Sequence, residues 1–124
     1  MANPNIVNVT TINGNSSSVA LSTTSATSLA SNAAASGKVY KINSIVVANN
    51  NGASAANITI NVYSAAALGG TAYPIASTIS VPANSTLIIT DRTTSFYLLE
   101  NQSIGATAGT ANYLTVTASW EEIS

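Results

Sequence analysis

Residues 38–63 constrain the fold of this chain more than any other stretch. They read as two long strands around a polar reversal. The first strand is Lys38-Val39-Tyr40-Lys41-Ile42-Asn43-Ser44-Ile45-Val46-Val47-Ala48, and the reversal is Asn49-Asn50-Asn51-Gly52-Ala53-Ser54. In the second strand Ala56, Ile58, Ile60 and Val62 alternate with Asn57, Thr59 and Asn61. Successive strand side chains point to opposite faces, so this strand buries one face and wets the other. Asn51-Gly52 tolerates the positive φ of a tight turn, which predicts a hairpin. In the first strand the apolar phase slips. Tyr40, Ile42, Val46 and Ala48 share one parity; Val39, Ile45 and Val47 share the other. The slip predicts a central strand, buried on both faces or bulged near Ser44.

The rest of the chain repeats the theme. Residues 5–12 read as a first strand, with Val7 and Val9 opposed to Ile6 and Ile12, closed by a type I′ turn at Asn13-Gly14. Residues 15–37 are rich in Ser, Thr and Ala; Val19, Leu21 and Leu29 share a parity that suits short strands over 18–23 and 26–31. Residues 32–37 and 64–73 read as loops, the second with a helical turn at Ala65-Ala66-Ala67 ended by Gly69-Gly70. Pro74 opens a strand that buries Ile75, Ile79 and Val81, and Pro82-Ala83-Asn84-Ser85 reverses the chain. Leu87 and Ile89 oppose Ile88, and Asp91-Arg92-Thr93-Thr94 makes a polar turn. Phe96 and Leu98 then oppose Tyr97 and Leu99, and a short Gly/Ala strand starts at Ile104. In the last strand, over residues 112–123, Leu114, Val116, Ala118 and Trp120 alternate with Tyr113, Thr115, Thr117 and Ser119. About eight strands with regular turns predict a single antiparallel β-sandwich, a jelly roll or an Ig-like Greek key. Residues 1–37 form an N-terminal strand plus arm within the same domain as the body, residues 38–124.

Composition removes whole classes of chemistry. The 124 residues suffice for one core. There is no Cys and no His, which removes disulfides, thiolate metal sites and the commonest general base. Only 6% of residues are charged and the formal net charge is −1, against roughly 25% charged in an average domain. Nucleic-acid binding needs clustered Lys and Arg, so it is not expected. Near-zero net charge leaves copies little mutual repulsion, which favours a working state packed against other proteins. Met1-Ala2-Asn3-Pro4-Asn5 lacks the basic and apolar regions of a signal peptide, and no apolar run is long enough to span a membrane. The expectation is synthesis and assembly in the cytoplasm.

No constellation of side chains promises catalysis. Asp91, Glu100, Glu121 and Glu122 read as solvated strand ends, and neighbours Glu121 and Glu122 face opposite ways. Asp91-Arg92 reads as a local turn, and one carboxylate is a thin basis for calcium. Ser44 and Lys41 stand three apart on a strand and should face opposite ways, so no Ser–Lys pair is expected. Gly69-Gly70 has no following Lys and no strand–Gly–helix frame for a phosphate. The Asn-x-Ser/Thr triplets at Asn8, Asn15, Asn57, Asn84 and Asn101 reflect composition. Tyr40, Tyr63, Tyr73, Tyr97 and Tyr113 either pack on the core edge or build a sugar platform. No catalytic, metal or cofactor-binding residue is assigned, and no enzyme is expected.

Three runs carry a resemblance: Lys41-Ile42-Asn43-Ser44-Ile45-Val46-Val47-Ala48-Asn49; Ile75-Ala76-Ser77-Thr78-Ile79-Ser80-Val81-Pro82-Ala83-Asn84-Ser85-Thr86-Leu87; and Ser119-Trp120-Glu121-Glu122-Ile123-Ser124. Together they resemble small virion structural proteins of tailed bacteriophages, especially phages of cyanobacteria and other marine bacteria. The likeness covers most of the chain from Lys38 onward. It departs at Asn101 and Gln102, where such relatives are more acidic. It implies a non-enzymatic decoration or cement protein on the capsid surface of the virion, made in the host cytoplasm. Its partner would be the major capsid protein, whose subunits it bridges, and it would be a homo-oligomer, a homotrimer by preference, without cofactor, nucleic acid or membrane. Residues 15–37 would be an arm reaching a neighbour. The alternatives are a neck, tail or fibre-associated virion component, and a carbohydrate-binding β-sandwich for host attachment.

Overall fold

The computed structural model describes residues 4–124; residues 1–3, where the leader reading and the 1–37 unit begin, lie outside them. The described residues form nine strands: β1 (Ile12–Ala20), β2 (Thr27–Asn32), β3 (Val39–Asn49), β4 (Ala56–Ala65), β5 (Gly69–Val81), β6 (Thr86–Thr90), β7 (Phe96–Leu98), β8 (Gln102–Ala108) and β9 (Leu114–Ile123). A single 3₁₀ turn, Arg92–Thr94, separates β6 from β7. One sheet has the order β1-β9-β3-β6, with β7 continuing the β6 edge along β3; the other has the order β2-β8-β4-β5. All pairings are antiparallel. The chain therefore crosses between sheets at nearly every connection. This order and connectivity is that of a jelly roll, the first of the two sandwich topologies expected.

The expected hairpin at residues 38–63 is not one. β3 pairs with β9, β6 and β7, while β4 pairs with β5 and β8. The polar segment between them is an arch from one sheet to the other. Its cause is Asn49, which is buried and whose amide donates to Ser54 O at 3.0 Å and Val81 O at 2.9 Å. Asn51 Oδ1 then accepts from Ala53 N and Ser54 N, turning the chain away from β3. The bulge reading of β3 is correct. Its register on β9 slips between Ile42 and Ser44, so Ile45, Val47 and Asn49 face inward in phase with Tyr40 and Ile42.

Further expectations fail over residues 5–14, 64–73 and 74–81. Residues 5–11 form no strand, and Asn13-Gly14 does not turn. It stays extended because Asn13 and Gly14 sit opposite Glu122 and Glu121 of β9. Just before it, Thr10 and Thr11 pair their backbones with Ser124. The loop at residues 64–73 shrinks to three residues closing the β4–β5 hairpin, with Ala65 opposite Gly69 and no helical turn. Ala67 and Leu68 both take positive φ, 56° and 60°. Three side chains hold this tip: Asn101 Oδ1 accepts from Ala66 N, Ser31 Oγ from Ala67 N and Ser103 Oγ from Leu68 N. In β5, register slips move the buried phase to Ala76 and Val81, leaving Ile75 and Ile79 exposed.

The core lies between the sheets. Ile42, Ile45, Val47, Leu98, Leu114 and Val116 from one sheet meet Ile58, Ile60, Val81 and Ile104 from the other. Trp120 is buried and stacks on Tyr40, ring centroids 6.1 Å apart at 19°.

Candidate functional site

The carboxylates do not converge. Asp91 is exposed and caps its own 3₁₀ turn, accepting from Thr93 N at 2.9 Å and Thr93 Oγ1 at 2.6 Å; these bonds, the side-chain one foremost, hold its carboxyl below the usual carboxylate value. Glu121 and Glu122 do face opposite ways. Glu121 accepts from Asn43 Nδ2 at 3.1 Å on the outer side. Glu122 lies on the inner side with Trp120 and gathers Asn15 Nδ2 at 2.6 Å, Lys38 Nζ at 3.2 Å and Trp120 Nε1 at 3.4 Å. Burial pushes its carboxyl up, but the three hydrogen bonds and the Lys38 charge outweigh this, and the net direction is down. Burial, then the Glu122 charge, raises the neighbouring Tyr40 hydroxyl, against a lowering by Lys38.

Only Asp91 thus fits the expectation of solvated acids. Glu121 and Glu122 are partnered and half-buried, and the two carboxylate oxygens of Glu100 are buried with no hydrogen-bond partner among the described residues. Among the described residues no three acidic side chains gather as a metal site would need. Lys41 and Ser44 share the outer face rather than opposing each other, because the β3 bulge at Asn43 restores their phase. No hydrogen bond joins them. Sequence reading missed the Glu122 cluster, whose members Asn15, Lys38 and Glu122 come from three distant segments. Its one legible sign was a Lys before a strand and a Glu near the end of another.

What the fold does present is uncharged surface. On the outer face of the β1-β9-β3-β6 sheet, cross-strand pairing lines up Ser16 with Ser119, Ser18 with Thr117 and Val46, and Ala20 with Thr115 and Ala48. Ile88, opposite Val46, extends this face and is 60% exposed. Ser18 and Thr117 hydroxyls bond across the strands at 3.0 Å. The same face ends in an apolar hollow lined by Pro4, Ile6, Val39, Tyr97 and Leu99.

The sheet edges differ. β5 carries Pro74 and three register slips, β2 is short and slips at Leu29, and the β6–β7 edge is broken by the 3₁₀ turn. Each device blunts an edge against strand addition. β1 has nine residues, no charge, no Pro and an unbroken register.

The tyrosines form no single platform. Tyr40 is buried, and Tyr113 packs against the core. Exposed Tyr73 and Tyr97 stand on strands of different sheets. No protein-family model matches the chain, and no curated protein matches it.

Proposed function

We propose that this chain is a structural protein of a tailed-phage virion, a decoration or cement protein that binds the outer surface of the capsid and bridges its subunits. The observation that carries the reading is the outer sheet face, a plane of Ser, Thr, Val and Ile side chains with charge only at its end. Such a face docks by hydrogen bonding and apolar contact, needs no counter-charge and is insensitive to salt. Modest contacts repeated over many copies sum by multivalency to tight attachment. The jelly roll supports this role, since its hydrogen-bonded sheets present the face already formed and so lower the ordering cost of binding. The resemblance from Lys38 onward supports the same assignment. The partner is the major capsid protein and the assembled form a homotrimer, without cofactor, nucleic acid or membrane.

The test is addition of purified protein to undecorated phage shells. Binding should saturate at a fixed ratio to capsid subunits, persist in high salt and raise the temperature at which shells rupture. Labelling of intact particles that places the protein only at the neck or tail would overturn the reading.

A further inference from the structure

We propose that Asn51 is a site of spontaneous covalent modification, a deamidation whose position is selected by the fold. The chain carries two Asn-Gly pairs, Asn13-Gly14 and Asn51-Gly52. The available chemistry is the same at both. The glycine backbone nitrogen attacks the asparagine side-chain carbonyl carbon, and the new C–N bond closes a succinimide. The bond to Nδ2 breaks, and that nitrogen leaves as ammonia with the proton given up by the glycine nitrogen. Water then adds at either ring carbonyl and opens the ring to aspartate or isoaspartate. No oxidant or reductant is needed.

The fold treats the two pairs differently. Asn13 and Gly14 lie inside the unbroken β1–β9 ladder, so reaction there waits for the edge strand to open. Asn51 and Gly52 lie outside any strand, in the arch between β3 and β4, and Gly52 is exposed. Within the described residues the Gly52 N–H donates to no partner, whereas its neighbours do: Asn51 N donates to Asn49 Oδ1, and Ala53 N and Ser54 N both donate to Asn51 Oδ1, at 2.8 and 2.7 Å. Asn51 Oδ1 is the atom on which negative charge develops as the glycine nitrogen attacks. Donors already aimed at such an oxygen lower the barrier. One arch therefore joins an unengaged nucleophile to a ready oxyanion cradle.

The product would alter this end of the sandwich. Asn51 O accepts from Asn84 N at 3.1 Å, which ties the β3–β4 arch to the β5–β6 crossing. Isoaspartate reroutes the main chain through the former side chain, and the carbonyl that accepts from Asn84 N becomes a free carboxylate no longer in line with the arch. Either product adds a negative charge to a chain whose formal net charge is −1.

The experiment is peptide mapping by mass spectrometry after ageing the full chain in mildly alkaline buffer, folded and in urea. In urea the two pairs should react alike. On folding, Asn51 should keep at least its unfolded rate while Asn13 slows about tenfold or more. Ala53→Pro deletes one cradle donor and should slow Asn51 about tenfold with Asn13 unchanged. Folding that protects Asn51 as strongly as Asn13 would overturn the proposal. That wild-type comparison decides the matter even if the proline variant does not fold.

Discussion

Glu122 shows how much a single side chain can gather at the mouth of a sandwich. It accepts from an amide, an ammonium and an indole, from three different parts of the chain. Because these partners lower its folded pKa, the sign of its linkage is fixed. Its contribution is fully present above the unfolded carboxylate value, about 4.3, and is lost as pH falls through the folded value. Glu122→Gln should cost about 1 kcal/mol at neutral pH, and the difference from wild type in urea unfolding should vanish in acid. Gly70 is a second decisive residue. Its φ is 71°, and a Cβ there would collide with Ser64 Oγ and lie 3.2 Å from Ala65 N. Gly70→Ala should cost about 1–3 kcal/mol, read as a fall in thermal midpoint. By contrast Ala67 and Leu68 accept positive φ because their amides are each held by a serine hydroxyl.

At the scale of elements, the β3–β4 connection decides the topology. The alternating pattern of β4 and the bulge of β3 were both legible, since each is a local matter of which residues are apolar. Whether the two strands pair was not legible. Asn51-Gly52 suits a hairpin as well as it suits an arch, and what separates the two is a buried amide, Asn49, bonded to Val81 O across 32 residues of sequence. Asn49→Leu removes both donated bonds and leaves the buried Val81 carbonyl short of a partner. It should destabilise by about 1–3 kcal/mol, measurable by chemical denaturation, with hydrogen exchange rising first around the arch. The first-strand error has a similar origin. Asn13-Gly14 reads as a turn locally, but β9 offers nine consecutive partners to β1 and holds it straight. The acidic residues were misjudged for the same reason: a carboxylate near a strand end looks solvated until the opposite segment is known.

For the whole molecule, two sheets enclose an apolar core and turn nearly uncharged faces outward. Charge is 6% of the chain, and most of it is spent on local bonds at turns and at the sandwich mouth. The proposed docking face is therefore neutral across Ser18, Thr117, Val46 and Ile88. Ile88→Glu should leave stability within about 0.5 kcal/mol, since the side chain is exposed. If this face meets the capsid, the same change should lower shell occupancy about tenfold or more, because a desolvated, unpaired carboxylate costs more than the 1.4 kcal/mol that a tenfold loss represents. Unchanged occupancy would move the contact to another face or to the β1 edge.

The sequence by itself determined the all-β class, the two-faced character of β4 and β9, the bulge in β3, and the absence of Cys and His chemistry. These follow from side-chain periodicity and composition, which act over a few residues. Only the tertiary structure decided which strands are neighbours, that the arch is not a hairpin, and that Glu122, Lys38 and Asn15 meet. Those depend on hydrogen bonds and packing between segments far apart in the chain, where no local pattern can distinguish one partner from another.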